Sequence, residues 1–174
     1  MGQPWADIKP KTIRRRLELI RESPKRVHDR VAAAYHWLVM SERDDDPLRS
    51  FLFGFVGLEG LAEGLTRHLL PEAKARLQSD PDHALPIDDL IWPQPEDDSQ
   101  YPDRSALFSF AVLASALSPQ SAVDDLAQFK TLQKDRHRIA HGKDHTLETF
   151  PVRECQSLLR RYIKLVSNHE WDQA

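Results

Sequence analysis

One stretch dictates the architecture. Leu48–Leu70 repeats apolar residues at helical spacing, with Phe51, Phe55, Leu58, Ala62, Leu65 and Leu69 on one stripe and Phe53, Val56 and Leu61 widening it. A helix with so broad an apolar face is expected at the centre of a core, buried on most sides. Gly54, Gly57, Gly60 and Gly64 fall within about 120° of one another on a helical wheel. A glycine in a helix costs about 0.8–1 kcal/mol relative to alanine. Four on one side therefore imply the close approach of another backbone, either within the domain or across a dimer. Glu59 stands beside the apolar stripe. It is either a partly buried acid with a basic partner or a residue at the edge of the helix face.

The remaining segments supply helices to surround this one. Thr12 is placed to cap a short helix over about Ile13–Glu22. Ser23-Pro24 starts another that reaches about Ser41, with Val27, Val31, Ala34, Tyr35 and Leu38 facing inward. Asp44-Asp45-Asp46-Pro47 ends that segment and opens the central helix, because aspartate before proline is a strong N-terminal signal. Pro71–Gln78 reads as a short additional helix. Ser105–Leu117 is almost wholly apolar and ends at Ser118-Pro119. Ser121 and Asp124 form a weak capping box for a helix to about His141, with Val123, Leu126, Phe129, Leu132 and Ile139 inward. Gly142 has the character of the left-handed residue that closes a helix. Pro151 opens a last amphipathic helix to about His169, with Val152, Cys155, Leu158, Leu159, Tyr162, Ile163 and Val166 facing in. No strand alternation and no internal repeat is found. The fold class is all-α, a helical bundle of about five main helices. At 174 residues the chain reads as a single domain, 1–174.

Charge is unevenly spread under a net charge of −3. Residues 1–30 hold nine Lys/Arg against four Asp/Glu, including Arg14-Arg15-Arg16, and residues 130–145 hold five Lys/Arg against two Asp with three histidines. An acidic, Pro-rich insertion at about 79–103 separates them. It contains five prolines and eight acids and no glycine. Prolines at that density exclude continuous regular structure. The segment is either an acidic flap lying against a basic surface or a passive loop. The single cysteine, Cys155, excludes an internal disulfide and a cysteine-rich zinc site, which suits a reducing compartment. No secretory leader is visible and the longest apolar stretch is too short for a bilayer, so a cytoplasmic protein without a membrane partner is expected.

The richest chemistry lies in Lys134-Asp-Arg136-His137-Arg138-Ile-Ala-His141-Gly142. Arginine is a permanent cation that forks onto phosphate, and histidine exchanges protons near neutral pH. RNA carries its own nucleophile, the ribose 2′-hydroxyl. Its cleavage needs a base for that proton, an acid for the leaving 5′-oxygen and a cation for the developing charge. His141 is the candidate for proton transfer, a role typically worth 10²–10⁴-fold, and Arg136 the candidate for holding the phosphate. His137, one turn before His141, is a candidate assistant. Lys134, Arg138 and Lys143 are candidate contacts for the RNA backbone. The expected products are a 2′,3′-cyclic phosphate and a 5′-hydroxyl, with no cofactor and no metal. Five residues on a helix rotate Arg136 and His141 about 140° apart. Sharing a site therefore requires unwinding near Gly142, a long reach by the arginine, or contributions from two subunits. The alternative is that these cations only complement a helix C-terminus. His137, His141 and His145 at four-residue spacing are a weaker reading as metal ligands, since Gly142 interrupts the helix and no acid stands at zinc spacing. Trp5, Trp37, Trp92 and Trp171 read as packing residues.

Arg136-His137-x-x-x-His141 matches the Arg–polar–x3–His pattern of the HEPN superfamily, and Arg136 to Gly142 resembles its frequent form Arg-Asn-x-Ile-Ala-His-Gly. Phe55-Val-Gly-Leu58-Glu59-Gly-Leu61 is similar to the Leu-Glu-x-Leu segment of an earlier helix in some members, notably Apea-like ones. The two matches touch about fifteen residues, and the segment 79–103 has no counterpart. The resemblance implies a helical bundle that pairs into a homodimer, in which the Arg and His of both subunits meet in a cleft and cleave RNA without metal. It further implies a toxin, defence or stress role, with an antitoxin or another regulatory protein as partner. Some members have lost catalysis and serve as binding or scaffold modules. Members paired with a nucleotidyltransferase antitoxin carry a tyrosine two residues after the histidine, where this chain has Lys143.

Overall fold

The computed structural model describes residues 25–79, 106–140 and 150–171. They form five α-helices: α1 (Lys25–Arg43), α2 (Pro47–Ser79), α3 (Ala106–Leu117), α4 (Ala122–Ala140) and α5 (Val152–Asn168), with one 3₁₀ turn at Pro119–Ser121. Among the described residues all regular structure is helical, and the molecule is an all-α bundle. No described helix is long and apolar enough to cross a membrane. The proposed first helix at 13–22 with its arginine run, the insertion beyond Ser79, and His141, Gly142, Lys143 and His145 lie outside the described residues, as do Trp5 and Trp92.

The turn from α1 to α2 is built by its aspartates. Asp46 Oδ1 accepts the backbone N–H groups of Leu48 at 2.9 Å and Arg49 at 3.1 Å, so Asp46 caps α2 with Pro47 at the first helical position. Asp44 Oδ1 accepts the N–H of Asp46 at 2.9 Å and pairs with Arg49 at 3.1 Å. Below the turn, the hydroxyls of Ser41 and Ser50 each donate to the other residue's carbonyl at 2.6 Å, and Gln156 of α5 donates to Ser41 O at 3.2 Å. Three helices are thereby joined at one buried polar point.

α2 is the axis of the bundle. Phe51, Phe55, Leu58, Leu61, Ala62, Leu65 and Leu69 are all buried, and α1, α3 and α5 pack around it. α3 is buried from Phe108 to Ala116. The glycines resolve the question of the close neighbour in favour of the domain's own helices. A Cβ at Gly57 would stand 2.8 Å from Leu159 Cδ2 and 2.9 Å from Trp37 Cβ, and one at Gly54 would stand 3.2 Å from Cys155 Sγ. The stem of Arg30 lies over Gly64, whereas a Cβ at Gly60 would meet nothing within 4 Å among the described residues.

Several expectations change. α2 does not stop near Leu70 to be followed by a separate helix; it runs on through Pro71 to Ser79. Leu69 and Ala73 are buried on either side of Pro71 and hold the helix to the core. Pro71 itself is exposed, and it has no N–H to offer the Arg67 carbonyl one turn back. Tyr35, Val56 and Val123, expected to face inward, are 45%, 40% and 58% exposed. Tyr35 and Val123 lie at the margin of their helices' buried arcs, and Val56 lies opposite the buried arc of α2. Ser121 does not build a capping box with Asp124: its hydroxyl donates to Asp125 Oδ2 at 3.2 Å, while Asp124 is exposed.

Candidate functional site

α4 carries most of the candidate residues, and its buried face decides how they are displayed. Ala122, Asp125, Leu126, Phe129 and Leu132 are buried along one side. Continuing at 100° per residue, Arg136 extends that inward line past the last core residue. It is exposed, while Ile139 nearly one turn further on still packs against the core. Lys134 and Arg138 leave the helix about 160° away from Arg136, and His137 about 100° away. All three are exposed. Arg138 lies 3.7 Å from Asp135, a loose surface pair. The structure thus separates Lys134 and Arg138 from Arg136 by helical phase.

α2 meets α4 through stacked aromatic rings. Phe129 lies against Phe110 with centroids 4.3 Å apart and against Phe55 at 5.5 Å. From that contact, one turn along α2 leads to Glu59 and two turns along α4 lead to Arg136. Glu59 is half-buried. Its carboxyl is held above the usual carboxylate range, first by burial and then by repulsion from Glu63 one turn on, with the Arg136 guanidinium pulling the other way. Glu59 is thus a half-buried acid at the margin of the apolar face, with a basic influence upon it. Beside it Gly60 is open and Val56 is exposed.

Arg136 is a permanent cation that offers the fork phosphate accepts, and its charge acts on Glu59, 77 positions away in sequence. Among the described residues no three His, Cys, Asp or Glu side chains come together to hold a metal ion.

A second polar cluster, not anticipated from sequence, lies away from Arg136. Asp125 is buried and accepts from Tyr162 Oη at 2.7 Å, Arg161 Nη1 at 2.7 Å and Ser121 Oγ at 3.2 Å. Arg161 also donates to Ser118 Oγ at 2.9 Å and to Ser121 Oγ. Burial, and then the bond to Asp125, push the Tyr162 hydroxyl strongly upward, so it remains a neutral donor. Asp125 stands one turn before Phe129 on the apolar face, which marks it as inward-facing. Its partners on α5 leave no trace in that pattern. The cluster is closed on itself and ties α5 to the start of α4. Cys155 is buried against Gly54 and its thiol is pushed up to about 12, mainly by burial, so it is no nucleophile.

Comparison of the chain with known protein families, with curated proteins and with solved structures found no match in any of the three.

Proposed function

We propose that the chain is a HEPN-like, metal-independent endoribonuclease that cleaves RNA to 2′,3′-cyclic phosphate and 5′-hydroxyl ends. Arg136 holds the scissile phosphate and His141 transfers the protons. His137 assists, and Lys134, Arg138 and Lys143 steer the backbone. One histidine serves poorly as base and acid in a single step. A homodimer supplies two His141 side chains and removes that difficulty. A toxin, defence or stress role in the cytoplasm, under an antitoxin or another regulatory protein, follows from the same resemblance.

The observation that supports this reading is the placement of Arg136. It ends the inward line of α4, exposed, and its charge acts on Glu59 in the Leu58-Glu59-Gly60-Leu61 turn of α2. The two segments that carry the resemblance are thus within electrostatic range of each other. Surface cations that only complement a helix end do not require such a neighbour.

The test is cleavage of a mixed RNA in EDTA by the wild type and by His141→Ala, with the product ends analysed. The wild type is expected to leave cyclic phosphates, and His141→Ala to be slower by about 10²–10⁴-fold. Absence of cleavage by both proteins replaces this reading with a non-catalytic binding or scaffold module of the same fold. Equal cleavage by both places the chemistry elsewhere.

A further inference from the structure

α1 and α5 close on α2 at Gly54, Gly57 and Gly64. Another side of the helix stays exposed. Arg49, Val56 and Glu63 stand seven residues apart on it, a spacing that drifts by only about 20° per step around a helix. They form one line: the Arg49 side chain is 63% exposed, Val56 is 40% exposed and Glu63 is exposed. Leu52 and Phe53 flank the line, both half-buried, and Gly60 raises no side chain beside it. α1 continues this apolar surface. Trp37 is half-buried with its ring centroid 5.7 Å from that of Phe53, and Met40, one turn on, is 39% exposed. An apolar centre with a cation at one end and an anion at the other has the make-up of an interface with its charged rim.

We infer that this face pairs with the same face of a second copy of the chain, the two α2 helices running antiparallel about a two-fold axis at Val56. This rests on the reading of the chain as a homodimer, to which it adds the surface and the register. Its physical basis is charge symmetry. A two-fold axis that reverses a helix sets the residue n places before the axis against the residue n places after it on the other copy. Arg49 lies seven places before Val56 and Glu63 seven places after it, about 10.5 Å along the helix in each direction. Each Arg49 then meets the partner's Glu63, twice by symmetry, and Val56 packs on the partner's Val56 between them. Other arrangements lose this match. A parallel pair sets Arg49 against Arg49 and Glu63 against Glu63, and like charges face to face repel. An antiparallel pair centred at Gly60 sets Arg67 against Phe53 and Arg49 against Pro71.

Arg49 is already held in place for this contact. Its Nη2 lies 3.1 Å from Asp44 and its Nε 3.9 Å from Asp46, which steadies the side chain while most of it stays in solvent. A guanidinium carries five donors in a planar fork, so these aspartates do not exhaust it. Glu63 is exposed, and among the described residues no ion pair engages it. Exposed charge pairs add little affinity and much orientation. Leu52, Phe53, Val56 and Met40 supply the apolar contact, and Arg49 with Glu63 selects the antiparallel register.

The test is sedimentation velocity of the full chain over a concentration series, with the variants Arg49→Glu and Glu63→Arg. Each variant alone sets like charges together at both ends of the interface and should dimerise about ten- to hundredfold more weakly than the wild type. Mixed in equal amounts, the two should recover the wild-type affinity, because every contact again joins opposite charges. A mixture no better than either variant overturns the register. A second measurement does not depend on charge. Val56→Cys, on the axis, should form a disulfide-linked dimer under mild oxidation. Val123→Cys, on the exposed side of α4, should not, and Cys155 is buried. Equal cross-linking of the two, or none of Val56→Cys, overturns the proposal even where Arg49→Glu, having lost its pair with Asp44, fails to fold. A wild type that stays monomeric removes the homodimer reading as well. A wild-type dimer that ignores all three substitutions on α2 rejects this face alone and leaves the homodimer reading standing.

Discussion

At the scale of single residues, one buried and one half-buried acid show how much their setting decides. Asp125 receives three donors, including a guanidinium, and stays an acceptor in the core. Tyr162→Phe removes one of those donors from a buried charge and should cost about 1.5–3 kcal/mol of stability, read as a drop in the urea midpoint. Glu59 has no such support. Its folded pKa lies above the value in the unfolded chain. The native state therefore binds the proton more tightly, and stability falls as pH rises from the ordinary carboxylate range through the folded pKa. Glu59→Gln should raise the melting temperature at neutral pH, and the gain should vanish below the usual glutamate range. A gain that persists there would mean that charge is not its cause.

At the scale of elements, the glycines of α2 divide by what faces them. Helix propensity alone predicts that glycine to alanine stabilises by up to about 1 kcal/mol. At Gly60, with open space around the new methyl group, that gain should appear in full. At Gly57 the same change drives a Cβ to 2.8 Å from Leu159 and 2.9 Å from Trp37. Overpacking of this kind costs about 1–3 kcal/mol, so Gly57→Ala should be net destabilising. Paired thermal melts of the two variants check the opposite signs. The same element carries Pro71 within its length, and it tolerates the lost hydrogen bond because its flanking residues, Leu69 and Ala73, are locked into the core.

At the scale of the whole molecule, the core is one cluster that reaches each of the five described helices. Phe129 sits at its crossing point, stacked between Phe110 of α3 and Phe55 of α2. Phe129→Ala should cost about 3–5 kcal/mol and loosen the α2–α4 contact that positions Arg136. Cys155 offers a reporter for the same core, being the sole cysteine of the chain and buried, with its thiol pushed up to about 12. Its labelling by a thiol reagent in the native protein should follow opening of the bundle, and should accelerate in Phe129→Ala in proportion to the lost stability. Labelling at the rate of a free thiol in the wild type would contradict the packing of α5 on α2.

The helical class was legible in the sequence because apolar residues at 3–4 spacing have few other uses. Asp46-Pro47 marked the start of α2 for an equally local reason, since a cap lies within three residues of the groups it satisfies. The motif at Arg136 was also local and readable. The surroundings of Glu59 are not: residues 55–61 leave it open between two readings, because nothing in them says which helix lies opposite. Tyr35, Val56 and Val123 were misplaced for a related reason, since periodicity gives the direction of a face but not the extent of its cover. Asp125 with Tyr162 and Arg161, and Gly57 against Leu159, are agreements between residues far apart in the chain. Local spacing determines which side of a helix faces inward; only the packing of helix on helix decides which charge meets which.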